Sequence, residues 1–208
     1  MSKKQNDNNT NDSGIQLSQD LLALLQAIRN VDKAYLSYAN TNANADDRKD
    51  VINQLERVFA YELYFQWSLL KDCNFVLNGE IGKIWNEEDW YPDMVLHGGQ
   101  DDTDNNKIVV EIKRECMVKN NKKAIIDDLK KLSGFLVSAV NAQDKKFKNY
   151  EDAVFILLKG ELTEISDALK DKKLTSGIDL NDKIICVTYN EKRELKISRL
   201  SQLRDFCK

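Results

Sequence analysis

The chain has 208 residues, of which 42% are hydrophobic and 31% are charged, and its formal net charge is −3. One Pro and eight Gly exclude collagen-like, linker-like and wholly disordered chains. The single histidine, His97, excludes paired-histidine metalloprotease motifs and zinc sites built from several histidines of one chain. Any metal site must therefore depend on carboxylates.

The first 14 residues are mainly Asn, Asp, Ser and Lys, which predicts a disordered tail over 1–14 and a single domain over 15–208. No apolar stretch follows the basic residues at the start, and the longest apolar run, 153–158, is too short to span a bilayer. The four cysteines form no CxxC pair, which favours reduced thiols. We therefore expect a cytoplasmic protein that does not enter a membrane.

Hydrophobic residues recur at helical spacing in the first third of the chain. A first helix is predicted from Leu17, Leu21, Leu22, Leu24, Leu25 and Ile28, and a polar break follows at 40–47. A second helix is predicted over 48–71, with an apolar stripe of Val51, Ile52, Leu55, Val58, Phe59, Leu63 and Leu70.

The pattern then changes to short β-rich runs, which predict consecutive antiparallel strands at 74–81, 92–97 and 107–113. A long amphipathic helix is predicted over 121–142, followed by a buried strand at 153–158. The remainder predicts a helix at 161–170 and a strand at 183–189, and it leaves the C-terminal segment ambiguous, with a strand followed by a helix as one interpretation. These elements indicate an α/β fold with a mixed central sheet flanked by helices.

Charged residues lie in two of the predicted strands, 92–97 and 107–113. Side chains alternate along 107–113, so Glu111 and Lys113 point to the same face, opposite Ile112. Asp93 follows the only proline of the chain, Pro92, at the start of the preceding strand.

Glu62 lies within the predicted apolar stripe of the second helix, so we expect its carboxylate to face the sheet and to be protonated, paired or bound to a cation. Carboxylates of Glu62, Asp93 and Glu111 that converged to about 4 Å would repel by roughly 4 kcal/mol per pair at an effective dielectric near 20. Oxygen ligands with room for water suit Mg²⁺ or Mn²⁺ better than zinc. Lys113 would then hold or help deprotonate an attacking water, or stabilise negative charge on phosphorus.

These residues resemble the PD-(D/E)xK nuclease superfamily, which has the restriction-endonuclease-like fold with an αβββαβ core. Pro92-Asp93, a gap of 17 residues and Glu111-Ile112-Lys113 match its two-part motif, and Glu62 matches the helix glutamate of many members. The resemblance covers about 48–158, which leaves an N-terminal helix and C-terminal additions outside the core.

The resemblance implies a catalytic set of Glu62, Asp93, Glu111 and Lys113. It implies that Asp93, Glu111 and the Ile112 carbonyl bind the metal, that Glu62 binds or orients it, and that Lys113 serves the hydrolytic water. The expected function is a Mg²⁺- or Mn²⁺-dependent nuclease that hydrolyses phosphodiester bonds, most readily in DNA. Endonuclease or exonuclease action, and a monomer or a homodimer, remain open.

Three features carry competing interpretations. Residues 113–148 contain ten Lys or Arg and four Asp or Glu, a local charge of +6 that fits either phosphate contacts or a solvated helix face. Trp85, Trp90 and Tyr91 fit packing better than base stacking, and His97 fits a structural hydrogen-bonding role better than a catalytic one. The alternative function is a non-catalytic nucleic-acid or protein interaction module with the same fold.

Overall fold

The computed structural model describes residues 15–37, 48–80, 83–85, 88–99, 105–114, 122–137, 139–140 and 146–205. The predicted tail at 1–14 and the polar break at 40–47 lie outside the described residues.

Seven helices and ten strands are described. The helices are α1 (Gln19–Asn30), α2 (Ala34–Ser37), α3 (Arg48–Leu70), α4 (Lys122–Phe135), α5 (Leu162–Leu169), α6 (Lys172–Thr175) and α7 (Leu200–Asp205). The strands are β1 (Val76–Gly79), β2 (Lys83–Trp85), β3 (Glu88–Trp90), β4 (Met94–His97), β5 (Asn106–Arg114), β6 (Ala139–Val140), β7 (Lys146–Phe147), β8 (Asp152–Leu158), β9 (Ile185–Tyr189) and β10 (Leu195–Arg199).

Six of the strands form one sheet in the order β1-β4-β5-β8-β9-β10. The pairs β1–β4, β4–β5 and β9–β10 are antiparallel, whereas β5–β8 and β8–β9 are parallel. The parallel pair β5–β8 requires a crossover, and α4 lies within that connection. The predicted α/β class, with a mixed open sheet flanked by helices, is confirmed.

The sheet separates two hydrophobic clusters, and β5 contributes to both. Ile108, Val110 and Ile112 pack in the cluster that contains the buried residues of α1 and α3. Val109 packs in the cluster that contains the buried residues of α4 and α5. The alternation predicted for β5 is confirmed, so its odd-numbered residues, Glu111 included, face α4.

The helix predicted at 121–142 is shorter than expected. Its apolar periodicity continues through Val137, but α4 ends at Phe135, Val137 is 57% exposed and Val140 lies in β6. The Phe135 carbonyl accepts a hydrogen bond from the Tyr150 amide, 2.9 Å away, so an interaction distant in sequence satisfies the end of the helix. The local periodicity of the sequence carries no information about that contact and therefore does not predict where the helix ends.

Several short elements were not predicted. The β2–β3 and β6–β7 pairs and the one-turn helices α2 and α6 are too short to produce a periodic signal. The strand predicted at 92–97 begins at Met94, so Pro92 and Asp93 precede it. Within the described residues, no helix is long and apolar enough to cross a membrane.

Gly134 of α4 leaves space for the ring of Trp90, which packs edge-on against Phe135 with the ring centroids 5.2 Å apart. A Cβ at position 134 would lie 2.3 Å from Trp90 Cη2. We expect Gly134→Ala to lower the free energy of unfolding by about 1–3 kcal/mol, because overpacking outweighs the roughly 1 kcal/mol that Ala adds to a helix interior. Urea denaturation measures the change.

Lys130→Ala, on the exposed face of the same helix, is the control and should change stability by less than about 0.5 kcal/mol. Gly134→Ala with wild-type or higher stability would show that the Trp90 ring yields freely.

Candidate functional site

Asp93 and Glu111 lie side by side at one end of β4 and β5. Met94 pairs with Val110 in the antiparallel register, so the next positions outward are Asp93 and Glu111. The carboxylate Oδ2 of Asp93 accepts a hydrogen bond from the Ile112 amide at 2.6 Å. The structure thus brings together three of the predicted site residues.

Lys113 points toward α4, where it meets an acidic residue that the sequence analysis did not include in the site. Lys113 Nζ lies 3.2 Å from Oδ2 of Asp128, a buried side chain of α4. Lys131, one turn further along α4, donates a hydrogen bond to Asp128 Oδ1 at 3.2 Å. Its Nζ also lies 4.0 Å from Glu111 Oε1. Asp128 therefore holds two lysines beside Glu111.

Glu111 is 3% exposed, and its Oε1 atom has no hydrogen-bond partner among the described residues. A buried carboxylate oxygen without a donor carries a desolvation cost of about 1–3 kcal/mol or more. A proton on Glu111, or a cation bound to this oxygen, would offset that cost.

Burial is the main cause of raised pKa values at Asp93 and Glu111. Burial raises the pKa of Asp93 to about 6, although the Ile112 amide and Lys113 oppose the rise. Burial also raises the pKa of Glu111 well above its ordinary value, and repulsion from Asp93 and Asp128 adds to it. The raised pKa values mean that the ionised forms of Asp93 and Glu111 are disfavoured at this site when no metal cation is bound.

The two lysines keep their positive charge. Burial lowers the pKa of Lys113, but attraction from Asp128 and Glu56 outweighs this, and the pKa is raised overall. Burial likewise lowers the pKa of Lys131, and attraction from Glu111 and Asp128 raises it overall. Lys113 is thus a charged group near neutral pH and unsuited to take a proton from water.

Glu56, not Glu62, is the glutamate of α3 that reaches the site. Glu56 Oε1 accepts a hydrogen bond from the Arg114 amide at 3.0 Å. Burial raises the pKa of Glu56, while Lys113 and the Arg114 amide oppose the rise. Glu62 is half-buried and accepts a hydrogen bond from Gln66 within its own helix. The expectation that Glu62 faces the sheet is therefore corrected.

The helix face explains the difference between the two glutamates. Within 56–70, the part of α3 whose side chains the structure describes, the buried residues are Phe59, Leu63 and Trp67, whereas Val58, one residue of the predicted stripe, is 36% exposed. Glu56 precedes Phe59 by three residues and Leu63 by seven, so it lies on the buried face. Glu62 lies on a flank of that face. The spacing of Phe59, Leu63 and Trp67 in the sequence is the signal that could have identified Glu56.

Asp128 and Lys131 were also missed, although Asp128 gave a signal. It follows Ile125 by three residues and precedes Leu132 by four, which places it in the apolar stripe of α4. A buried carboxylate needs a partner, and Lys113 is that partner. Lys131 is partly exposed, and nothing in its sequence context distinguishes it from the other lysines of the run.

A cavity of about 1130 Å³ opens beside Asp93, between α3 and the ends of β1 and β4. Glu56, Tyr61, Tyr91, Asp93 and Ile112 are among the residues that line it. The cavity gives a ligand access to the Asp93 end of the site.

His97 has the predicted structural role. It is buried, its Nδ1 accepts a hydrogen bond from the Gly99 amide at 3.1 Å, and its Nε2 lies 2.7 Å from Asn78 Oδ1. With Nδ1 as acceptor, Nε2 carries the proton and donates it to Asn78. His97 thus links β4 to β1 at the end opposite Asp93.

The aromatic residues before the motif separate into two groups. Trp90 packs against Phe135, as predicted, whereas Tyr91 is exposed and lines the cavity. The side chain of Trp85 lies outside the described residues.

The basic run at 113–148 is described only in part. Residues 115–121 and 141–145 lie outside the described residues, and Lys113 and Lys131 form ion pairs.

Comparisons of the chain with known protein families, curated proteins and solved structures found no match. Among the described residues, no group of three or more His, Cys, Asp or Glu side chains is arranged to hold a metal ion. The site accordingly contains two adjacent carboxylates, Asp93 and Glu111, with Glu56 and Asp128 close enough to influence their charge.

Proposed function

We propose that this chain is a metal-dependent nuclease of the PD-(D/E)xK type, with Asp93, Glu111 and Lys113 at its active site. The observation that supports this most directly is the position of Asp93, one residue before β4, next to Glu111 of β5, with Glu111 Oε1 buried and without a donor among the described residues. The order α3, β1, β4, β5, α4, β8 agrees with the αβββαβ core, once the two-stranded β2–β3 and β6–β7 pairs are set aside. A cytoplasmic location, with reduced thiols, belongs to the same proposal.

The donor set fits Mg²⁺ or Mn²⁺. Mg²⁺ is commonly bound through one or two carboxylates, with waters and substrate phosphates in the other positions. Asp93 and Glu111 would hold the ion together with the Ile112 carbonyl. When bound, the metal supplies a Lewis acid that neutralises phosphate charge and lowers the pKa of a water ligand.

The residues of the chain have distinct tasks in this proposal. Lys113 brings a positive charge to the side of Glu111 and stabilises negative charge that develops on the phosphoryl oxygens. Asp128 positions Lys113 through their 3.2 Å ion pair. Lys131 offsets part of the charge of Glu111 and Asp128, and Glu56 anchors the end of β5 through the Arg114 amide.

The test has two parts. A thermal melt with Mn²⁺ or Mg²⁺ should show stabilisation that grows as RT ln(1 + [metal]/Kd). Plasmid, linear and single-stranded DNA, and RNA, should then be assayed for cleavage with each metal. The nuclease proposal is rejected if none of these substrates is cut, or if Glu111→Ala cuts as well as the wild type.

A non-catalytic interaction module is the second candidate function. It is favoured by the near-complete burial of Glu111 and its 4.0 Å approach to Lys131, which closes the site from one side. This alternative predicts no metal-dependent rise in melting temperature and no cleavage, with nucleic-acid or protein binding retained.

Glu56→Gln should weaken metal-dependent stabilisation more than Glu62→Gln does. Glu56 lies beside the site and its charge acts on Lys113, whereas Glu62 bonds within its own helix. We expect a roughly 10- to 100-fold loss of metal affinity for Glu56→Gln, the range typical of residues that support metal ligands. Calorimetric titration with Mn²⁺ measures both variants, and a larger loss in Glu62→Gln would restore the original assignment.

A further inference from the structure

The cavity beside Asp93 is large, and five of its twelve lining residues belong to α3. Its volume of about 1130 Å³ exceeds the roughly 300–1,000 Å³ of common small-molecule sites. Asp93, Ile112 and Glu56 are among its lining residues, so a ligand in the cavity would adjoin the proposed active site. In the proposed nuclease, the part of the substrate next to the bond that is cut would therefore occupy this cavity.

Exposed tyrosine rings form part of the cavity wall. Tyr61 of α3 and Tyr91, which precedes β4, are 63% and 62% exposed. Tyr64 also lines the cavity, but its hydroxyl donates a hydrogen bond to the Leu77 carbonyl at 3.0 Å and ties it to β1. Aromatic rings that line a cavity and remain largely exposed are typical platforms for stacking nucleobases.

The charges of the cavity disfavour phosphate groups. Its lining contains three carboxylates, those of Glu56, Glu80 and Asp93, and one guanidinium, that of Arg57. Arg57 Nε lies 3.2 Å from Glu80 Oε1, so its charge is already paired. Carboxylates repel a phosphate but accept hydrogen bonds from the amino groups of bases. The lining therefore suits a base better than a sugar-phosphate backbone.

We propose that this cavity holds an unpaired nucleobase of the strand that is cut, stacked on Tyr61 and Tyr91. A base within a duplex has both faces stacked and its hydrogen-bonding edge paired, so it must be single-stranded or extruded to enter. The preferred substrate is then single-stranded nucleic acid or a site with unpaired nucleotides. This inference rests on the proposed nuclease function.

Binding of labelled oligonucleotides, followed by fluorescence anisotropy, tests the inference. The probes are a short single strand, its blunt duplex, and the same single strand with abasic nucleotides. They are measured with wild-type protein in EDTA and with Glu111→Gln in Mg²⁺. We expect the single strand to bind most tightly, and abasic substitution to weaken binding by about 5- to 150-fold.

Substitution of the tyrosines should reproduce the abasic effect. Tyr61→Leu and Tyr91→Leu should weaken binding of the normal strand to a similar degree but leave the abasic strand unaffected, whereas the Phe variants retain binding. Phe65→Leu is the matched control, because Phe65 is an exposed aromatic residue of α3 that is not part of the cavity lining.

The two proposals fail in different ways. If the protein cuts DNA but binds duplex and abasic strands as well as the normal strand, the base-binding inference is overturned and the nuclease function stands. Base-dependent binding that requires the tyrosines, without cleavage under any metal, supports the inference and points to the non-catalytic module. Absence of base-dependent binding under both conditions overturns it as well.

Discussion

Glu111→Gln is expected to reduce metal-dependent DNA cleavage by about 10²–10³-fold and, without metal, to make the protein more stable than the wild type. Cleavage falls because one of the two adjacent carboxylates is lost. Stability rises by about 1–3 kcal/mol because burial and repulsion from Asp93 and Asp128 disfavour the charge of Glu111, and the substitution replaces it with a neutral amide. For a chain of this size the melting temperature should rise by about 2–4 °C per kcal/mol.

The pH dependence of metal-free protein has a defined sign. The pKa of Asp93 is raised from its ordinary value to about 6, and that of Glu111 is raised as well, so the folded protein binds more protons than the unfolded chain. The contribution of Asp93 to stability therefore falls as pH rises from about 4 through 6, and that of Glu111 falls as pH rises above its ordinary pKa. For Asp93 alone the loss is about 3 kcal/mol.

Urea denaturation in EDTA at pH 5 and pH 7.5 measures this effect. The fall in stability between the two pH values should be smaller in Glu111→Gln than in the wild type. Asp127→Asn, on the exposed side of α4, is the control and should resemble the wild type. A Glu111→Gln protein that is less stable than the wild type at pH 7.5 in EDTA would contradict the charge balance inferred for the site.

Lys113→Met is expected to lower cleavage by about 10²–10³-fold and to destabilise the fold. The loss of activity follows from the loss of a positive charge beside Glu111. Asp128 would remain buried with Lys131 as its remaining ion-pair partner among the described residues, which should cost about 1–3 kcal/mol of unfolding free energy.

A double variant separates the two effects of Lys113. Lys113→Met combined with Asp128→Asn should recover most of the lost stability, because the buried carboxylate that Lys113 neutralises is then replaced by a neutral amide, but should not recover activity. Lys123→Met, at an exposed position of α4, should match the wild type in both measurements. Full cleavage by Lys113→Met would remove this lysine from the mechanism.

A large part of the fold follows from local patterns. The helices α1 and α3, the strands β1, β4, β5, β8 and β9, and the C-terminal strand and helix were predicted near their observed positions. Each has either a long apolar stripe or alternating or continuous hydrophobic residues, and these signals depend only on neighbours in sequence. The early end of α4 depends on distant contacts such as that of Phe135 with Tyr150. The β2–β3 pair joins near neighbours, but its strands are too short to give a periodic signal.

Some residues of the candidate site also follow from local patterns, and others do not. Asp93, Glu111 and Lys113 were identified in advance because strand alternation and the order of two strands suffice to place them together. Glu56 was missed because the stripe of α3 was centred with the help of Val58, and the structure centres it on Phe59, Leu63 and Trp67. A rotation of α3 about its axis by less than half a turn decides whether Glu56 or Glu62 lies on the buried face.

The sequence by itself thus determined the order of the elements and the charged residues carried by β5, since both depend on interactions between near neighbours. Only the tertiary structure decided which residues of α3 and α4 complete the site, Glu56, Asp128 and Lys131. It also decided that Tyr61 and Tyr91, thirty positions apart, line the same cavity. The physical reason is that the face a helix buries is set by the elements against which it packs, and those contacts join residues that are far apart in the chain.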